Sequence, residues 1–309
     1  MRLEGIHHVT AITGDAPGNV DFYARVLGLR LVKKSVNQDD PTVYHLFYAD
    51  EKGEPGSDIT FFEYRNARPG RAGAGMVHRV VWRVASEDSL AFWAERLGGE
   101  GVAVERADGS LVFADREGLA HELAVVETSD EPLIADHPEI PRELALQGFE
   151  AVRAYAFDPD QSRGFLEEAL AFSPHGSDEW EVRGEQRGGR YVYDRTEERG
   201  VGGAGTIHHV AWASPMDDHE AWRSRVQAAG ASPTPVIDRF YFRSIYFREP
   251  SGVLFEIATI GPGFDADEPL EHLGERLSLP PNYEELRDRL EQVLTPLPET
   301  RRQLATGGR

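Results

Sequence analysis

Cysteine is absent from this 309-residue sequence, and lysine occurs only at positions 33, 34 and 52. Without cysteine there are no disulfides, no thiolate nucleophile and no zinc–thiolate site, so any bound metal must use nitrogen and oxygen ligands. Long apolar runs are missing too, because no stretch approaches the length of about 18 uncharged apolar residues that a membrane-spanning helix needs. These absences exclude thiol chemistry and predict a protein that does not enter a membrane.

The charge balance is strongly acidic, with a formal net charge of −20 at pH 7. A nucleic-acid partner requires a basic surface for its phosphates, so we expect none. An acidic surface poor in lysine fits a halophilic source, and it also fits an acidic enzyme from a GC-rich genome. The hydrophobic share of 40% indicates a globular protein. The first predicted strand begins within a few residues of the N-terminus, which leaves no room for a signal peptide and favours the cytoplasm.

The segment Ile-His-His-Val occurs twice, at residues 6–9 and 207–210, in a chain that has 11 histidines. Both copies lie in apolar, β-branched surroundings that predict short buried strands. Neutral imidazole is the commonest protein ligand for metals. A single pair is more typical of a core histidine beside an exposed one, but the duplication favours a metal site.

A strand–helix–three-strand unit repeats four times along the chain. Its first strands are predicted at residues 6–12, 77–82, 151–157 and 207–212, and its helices at 17–27, 86–97, 161–171 and 217–229. Later strands are predicted at residues 29–34, 43–48, 59–64, 102–106, 110–114, 121–126, 180–183, 190–193, 240–247 and 253–259. A half-barrel of this size cannot bury both faces of its sheet alone. The pattern therefore predicts an α+β fold of four βαβββ modules paired into two open β-barrels, with the helices outside.

A proline-rich junction at residues 136–141 separates the two halves of the chain. We expect an N-terminal pair of modules at residues 1–140 and a C-terminal pair at 141–262. Residues 263–309 form a third segment with an acidic loop, a helix at 282–293 and a polar end, of which about the last ten residues fray. We assign this segment to packing, a lid or contacts between subunits, so a homo-oligomer is one expectation.

Comparison of the modules selects the second histidine of each pair as the metal ligand. In the second module Arg79 replaces that histidine, and arginine cannot bind a metal. The third module has no histidine in its first strand. Only the first and fourth modules keep the pair, which points to His8 and His209. If both bind one metal, these two modules must face each other and bring the ends of the chain together.

A carboxylate is available as a third ligand in the last strand of the fourth module. Glu256 stands alone among apolar residues, and a buried carboxylate without a partner costs several kcal/mol. Two histidines and one carboxylate form the ligand set of non-haem Fe(II) oxygenases. Glu63, in the corresponding strand of the first module, is a candidate fourth ligand, and Glu122 in the second module shows that a glutamate there need not bind a metal.

These residues resemble the vicinal oxygen chelate superfamily over nearly the whole chain. The similarity is greatest to its hydroquinone ring-cleaving dioxygenases, and residues 5–13, 27–34, 40–48 and 238–259 carry it. The last of these (DRFYFRSIYFREPSGVLFEIAT) is long and specific. Glu63 departs from the pattern expected in close relatives.

The resemblance implies that His8, His209 and Glu256 bind Fe(II) or Mn(II). It further implies supporting catalytic roles for His7, Thr10, His208, Arg239 and Tyr246. Arg239 and Tyr246 are seven residues apart and would direct a cation and a phenol towards a bound oxyanion.

The leading functional prediction is a cytoplasmic, non-haem Fe(II)-dependent dioxygenase of the extradiol type. Its reactants would be O2 and a small aromatic diol, either a hydroquinone or a catechol-like compound, whose ring it opens. One alternative is a glyoxalase-like lyase or isomerase that uses Glu63 as a fourth ligand and needs no oxygen. Another is a non-catalytic protein that binds quinones or an antibiotic.

Overall fold

A computed structural model describes residues 1–107 and 109–298 of the chain. The strands of the first two modules are β1 (Ile6–Thr13), β2 (Arg30–Asn37), β3 (Asp40–Ala49), β4 (Asp58–Glu63), β5 (Met76–Val84), β6 (Val104–Ala107), β7 (Ser110–Ala114) and β8 (Ala120–Val125). The strands of the other two are β9 (Phe149–Ala156), β10 (Ser173–Pro174), β11 (Glu179–Arg183), β12 (Gly188–Arg195), β13 (Thr206–Ser214), β14 (Ile237–Asp238), β15 (Phe242–Arg248) and β16 (Leu254–Pro262).

One helix follows the first strand of each module, and a fifth lies near the C-terminus. They are α1 (Ala16–Val20, continued by a π-helical turn at Asp21–Val26), α2 (Glu87–Gly99), α3 (Asp160–Gly164, continued by a π-helical turn at Phe165–Ala169), α4 (His219–Ala228) and α5 (Arg287–Val293). Short 3₁₀ turns occur at Arg142–Leu144, Met216–Asp218, Phe264–Ala266, Leu270–His272 and Pro281–Leu286. Asp15 and Ser86 accept hydrogen bonds from the first turns of α1 and α2, which explains where these helices begin.

The strands form two mixed eight-stranded sheets within the described residues. The first has the order β14-β15-β16-β13-β1-β4-β3-β2, and the second has the order β10-β11-β12-β9-β5-β8-β7-β6. Antiparallel pairing of β1 with β13 joins modules one and four, and pairing of β5 with β9 joins modules two and three. The α+β class with paired βαβββ modules is confirmed, and so is the expectation that the first and last modules face each other.

Each sheet therefore combines one module from each half of the chain. The boundaries 1–140, 141–262 and 263–309 divide the sequence, but a sheet does not end at either internal boundary. That division into domains stays a prediction.

The C-terminal segment folds back over the first module. A 3₁₀ turn and α5 occupy the region predicted as one helix, and Leu277 forms an isolated bridge with Lys34 on the edge strand β2. The fraying predicted for about the last ten residues lies outside the described part of the chain. Among the helices of residues 1–107 and 109–298, none is long and apolar enough to cross a membrane.

Candidate metal centre

Three buried ligand atoms converge from three neighbouring strands of the first sheet. His8 on β1, His209 on β13 and Glu256 on β16 have 1%, 4% and 0% of their side-chain surfaces exposed. Their candidate ligand atoms all lie within 4.8 Å of one another. Oε2 of Glu256 is 3.2 Å from Nε2 of His8 and 2.9 Å from Nε2 of His209, and the two Nε2 atoms are 3.3 Å apart.

Strand register explains this convergence. Glu256 lies beside Ala211 in the parallel pairing of β13 with β16, two residues beyond His209. Because strand side chains alternate, residues two apart share a face of the sheet. In the antiparallel pairing, His8 lies opposite the same Ala211, which brings its ring to the other two. The concave face of the sheet thus collects one ligand from each of three adjacent strands.

His7 explains why Nε2 of His8 is free to bind a metal. Nε2 of His7 lies 3.1 Å from the carbonyl oxygen of Thr259, which can only accept, so this nitrogen carries the proton. Burial, followed by the charge of His8, lowers the pKa of His7 to about 3, so the ring is neutral and its Nδ1 accepts. That atom lies 2.9 Å from Nδ1 of His8, which therefore donates and keeps a lone pair on Nε2.

His208 stands in the same relation to His209. Their Nδ1 atoms are 2.8 Å apart, and the His208 ring meets the edge of Phe62 at a centroid distance of 5.8 Å. Desolvation by these neighbours, followed by the charge of His209, lowers the pKa of His208 to about 4. Both first histidines therefore orient the second ones and lie outside the cluster of ligand atoms.

Glu256 has the environment of a metal-binding carboxylate. Burial alone would raise its pKa, but the facing rings of His8 and His209 hold that pKa well below its usual range. Ser244 donates a hydrogen bond to Oε1 at 2.5 Å, whereas Oε2 is buried and accepts no hydrogen bond from the described residues. A carboxylate oxygen that faces two imidazole lone pairs without a shared proton fits a cation among them.

The predicted correspondence between Glu63 and Glu256 is wrong. In the parallel pairing of β1 with β4, the residue beside Thr10, two positions beyond His8, is Thr60. Thr60 therefore occupies in module one the place that Glu256 occupies in module four. Glu63 lies three residues further on, where it accepts hydrogen bonds from the Thr295 hydroxyl at 2.8 and 2.9 Å. It does not belong to the cluster, so a fourth ligand from Glu63 is excluded.

The other residues singled out from the sequence surround the cluster. The hydroxyl of Thr10 is 2.8 Å from that of Thr60. The ring of Tyr246 meets the edge of His209 at a centroid distance of 5.7 Å, and Nε of Arg239 is 3.3 Å from its hydroxyl. Burial, followed by the charge of Glu256, raises the pKa of Tyr246, so its phenol is neutral. Arg239 also forms an ion pair with Asp39 at 3.1 Å.

A pocket of about 460 Å³, including its open mouth, leads to the cluster. All three ligand residues line it together with Arg239 and Tyr246, whereas His208 is not among the lining residues. The sequence analysis missed the rest of its wall, which consists of Ser35, Val36, Asn37, Gln38, Asp39, His45, Phe47, Phe62, Tyr241 and Phe242. The one available signal was His45, a polar residue within an apolar strand of a module that keeps its ligand.

The second sheet holds ion pairs where the first holds ligands. Arg79 occupies the place of a ligand histidine and donates to Glu122 at 2.9 Å. Arg153, its partner across β5 and β9, donates to Asp194 at 2.6 and 2.9 Å. These arginines supply fixed positive charge to carboxylates that would otherwise be available to a cation, so only the first sheet offers a metal centre among the described residues.

The sequence matches a known family over most of its length. The family model described as "Glyoxalase/Bleomycin resistance protein/Dioxygenase superfamily" matches residues 5–131 and 148–257. A Bacillus subtilis (strain 168) protein named "Putative ring-cleaving dioxygenase MhqO" is 41% identical over 305 residues, which cover 96% of this chain and 97% of that protein. The "Chlorohydroquinone/hydroquinone 1,2-dioxygenase" of Sphingobium indicum is 34% identical over 307 residues, covering 94% and 95%.

Solved structures agree with the fold. A crystal structure described as a putative dioxygenase from Bacillus subtilis superposes with a TM-score of 0.90 at 38% identity, and the match covers 96% of this chain and 98% of that one. Glyoxalase I from Zea mays superposes with a TM-score of 0.58 at 16% identity, covering 88% and 96%, which shows a shared fold.

Proposed function

The chain belongs to the glyoxalase/bleomycin resistance protein/dioxygenase superfamily, and from this premise we propose that it is a ring-cleaving dioxygenase. Its substrates are O2 and a small aromatic diol, a hydroquinone or a catechol-like compound. The names of the full-length relatives support this reaction class. The proposal keeps the cytoplasm as its location and involves neither nucleic acid nor membrane, and a homo-oligomer stays open.

One observation carries the proposal: a buried set of two histidines and one carboxylate faces an aromatic-lined pocket, with Thr60 in the fourth ligand place. A threonine that already bonds to its neighbours adds no charged ligand. A three-residue set leaves positions for exchangeable ligands, which an oxygenase requires. A glyoxalase-like isomerase with Glu63 as fourth ligand is not supported, because Glu63 has other partners.

We propose that His8, His209 and Glu256 hold Fe(II), with Mn(II) as the alternative. When bound, such an ion lowers the pKa of a coordinated phenol and mediates electron transfer between the ring and O2. The chain's own contribution begins with desolvation, since Phe47, Phe62 and Phe242 enclose the pocket and favour an aromatic ring.

Tyr246 and Arg239 supply the polar contacts on the side of His209. The neutral phenol of Tyr246 can donate to a substrate oxygen, and the guanidinium of Arg239 stabilises negative charge that develops there. Tyr246 is better placed than His208 to move a proton, because it lines the pocket. His7, His208 and Thr10 then act by orienting the ligands and Thr60.

The proposal is tested by anaerobic reconstitution with Fe(II), metal analysis, and an oxygen electrode with a panel of hydroquinones and catechols. We expect about one iron per chain and oxygen uptake with at least one diol, with ring-opened product detected by mass spectrometry. If the iron-loaded protein binds diols but consumes no oxygen with any of them, it is a non-catalytic binding protein.

A His209→Ala variant tests the site itself. Removal of one of three ligands should abolish stoichiometric iron and lower oxygen uptake by about 100-fold or more. His78→Ala is the matched control, because His78 has the corresponding place beside Arg79 in the second sheet and should leave both readouts unchanged. Full uptake by His209→Ala would show that the metal is held elsewhere.

A further inference from the structure

The pseudo-symmetry between modules one and four assigns a special place to His45. Register pairs Tyr246 with Glu256 across β15 and β16, and it pairs Phe47 with Thr60 across β3 and β4. Two residues earlier, Ser244 in module four therefore corresponds to His45 in module one. Ser244 donates to the ligand Glu256, and Nε2 of His45 makes the matching hydrogen bond, at 2.9 Å, to Thr60.

The two sides of the pocket differ because of this replacement. In module four, Ser244 is used up in holding a metal ligand. In module one Thr60 binds no metal, and the larger His45 ring lines the open pocket instead. The ring lies against Phe47 at a centroid distance of 3.9 Å and against Phe62 at 4.4 Å, which fixes its orientation.

One nitrogen of His45 is left for a ligand. Nε2 is held by the Thr60 hydroxyl, which in turn lies 2.8 Å from the hydroxyl of Thr10. Nδ1 makes no hydrogen bond to any described residue, and it is not among the fully buried unpartnered atoms. Burial, followed by the charge of His8, holds the pKa of His45 well below its usual range, so the ring is neutral. The two hydroxyls can reverse their donor roles, which lets Nδ1 either donate or accept.

The strand order places this nitrogen on the opposite flank from Tyr246. β15, with Tyr246, is two strands to one side of β13, and β3, with His45, is two strands to the other side of β1. The metal ligands occupy the strands between. An aromatic ring bound through one oxygen beside Tyr246 would therefore present any second, remote oxygen towards His45.

We propose that His45 is a binding residue that hydrogen-bonds the diol hydroxyl remote from the metal, and so selects a 1,4-diol over a phenol that lacks this group. This inference rests on the proposed function, because it takes an aromatic diol as the ligand. His45 acts through Nδ1, and the Thr60–Thr10 pair holds its other nitrogen.

The test compares two ligands that differ at the remote position, hydroquinone and 4-methylphenol. Their dissociation constants are measured by anaerobic calorimetry on the iron-loaded protein, so that binding is read without turnover. Hydroquinone should bind the unmodified protein about tenfold or more tightly than 4-methylphenol, as one buried hydrogen bond predicts. In His45→Phe this preference should disappear through a loss of hydroquinone affinity, and in His45→Asn it should partly return.

Tyr44→Phe is the matched control, because Tyr44 neighbours His45 on β3 but points to the opposite face of the strand. It should keep the preference of the unmodified protein. An unchanged preference in both His45 variants, or no preference in the unmodified protein, would overturn the inference. If His45→Phe does not fold, His45→Asn decides.

Failure of the proposed function looks different. Iron-loaded protein that shows the His45-dependent preference but consumes no oxygen would refute the dioxygenase and keep this binding role. Oxygen uptake together with an unchanged preference in the His45 variants would do the reverse.

Discussion

At the residue scale, the centre depends on proton positions as much as on ligand identity. The carbonyl of Thr259 forces the proton onto one nitrogen of His7, and this determines which nitrogen of His8 keeps a lone pair. The doubled histidine is therefore a ligand together with the group that orients it. The same scale decides how many ligands there are, because a threonine rather than a glutamate follows two places beyond His8 on the neighbouring strand.

Thr60→Glu tests the meaning of the vacant fourth ligand place. The substitution puts a carboxylate at the position that corresponds to Glu256, where it would compete with substrate and O2 for the metal. We expect iron to be retained and oxygen uptake to fall by about 100-fold. Metal analysis and the oxygen electrode give the two readouts.

Thr60→Ser is the control for this change, since it keeps the hydroxyl that bonds to Thr10 and His45. It should retain both iron and activity. Oxygen uptake at the level of the unmodified protein in Thr60→Glu would show that this place does not face the reacting ligands.

At the scale of elements, a buried lysine attaches the C-terminal segment to the pocket wall. Lys33 on β2 is fully buried, and its Nζ lies 2.8 Å from Asp267 and 2.5 Å from Glu268. The same ammonium group lies 4.8 Å from the ring centroid of Tyr241, which lines the pocket. The loop predicted after residue 262 is thus packed against the first module, as one of the expectations for this segment required.

Lys33→Met should destabilise the protein by about 3–5 kcal/mol, because it leaves two carboxylates without the cation between them. Urea denaturation followed by tryptophan fluorescence measures the change in the free energy of unfolding. Lys52→Met is the control, since Lys52 is 61% exposed and should change stability by less than about 0.5 kcal/mol.

If Lys33→Met does not fold, Glu268→Gln gives a milder test of the same contact. A loss below about 1 kcal/mol in both variants would mean that the ion pair adds little more than an exposed one.

At the scale of the whole molecule, one pseudo-symmetric plan serves two purposes. The first sheet keeps its central histidines and forms the metal centre, while the second replaces them with arginine–carboxylate pairs. Asp130, in the connection between β8 and β9, extends this ionic network. It accepts from Arg83 at 2.7 Å, from Arg183 at 2.8 Å and from the backbone nitrogen of Gly188 at 3.1 Å, and so ties three strands together.

Asp130→Asn should lower the free energy of unfolding by about 2 kcal/mol at neutral pH. Burial opposes the charge of Asp130, but Arg183, Gly188 and Arg83 hold its pKa below the ordinary range. A depressed pKa adds stability above the unfolded value of about 3.9, and this is lost as the pH falls through the folded value. The difference between the two proteins should therefore be constant from neutral pH to about pH 5 and shrink below about pH 4.

Urea titrations at several pH values test this dependence. A difference that stays constant into strong acid would show that packing of the Asp130 side chain, and not its charge, stabilises the connection.

The sequence by itself determined the module order, the three ligands and the pairing of the first module with the last. These follow from local signals: strand and helix periodicity, a histidine pair kept in two modules only, and one carboxylate in an apolar strand. Each is a property of residues close together in the chain, which is why it can be recognised without coordinates.

Only the tertiary structure decided which residues complete the pocket. Glu63 was a reasonable fourth ligand from strand order, but a three-residue difference in register gives that place to Thr60. His45 became informative only when β3 was seen two strands away from His8 on the same concave face. Pairing between distant strands sets register, and a shift along a strand changes both the face and the height of each side chain. Those long-range pairings, rather than any local pattern, position the chemistry.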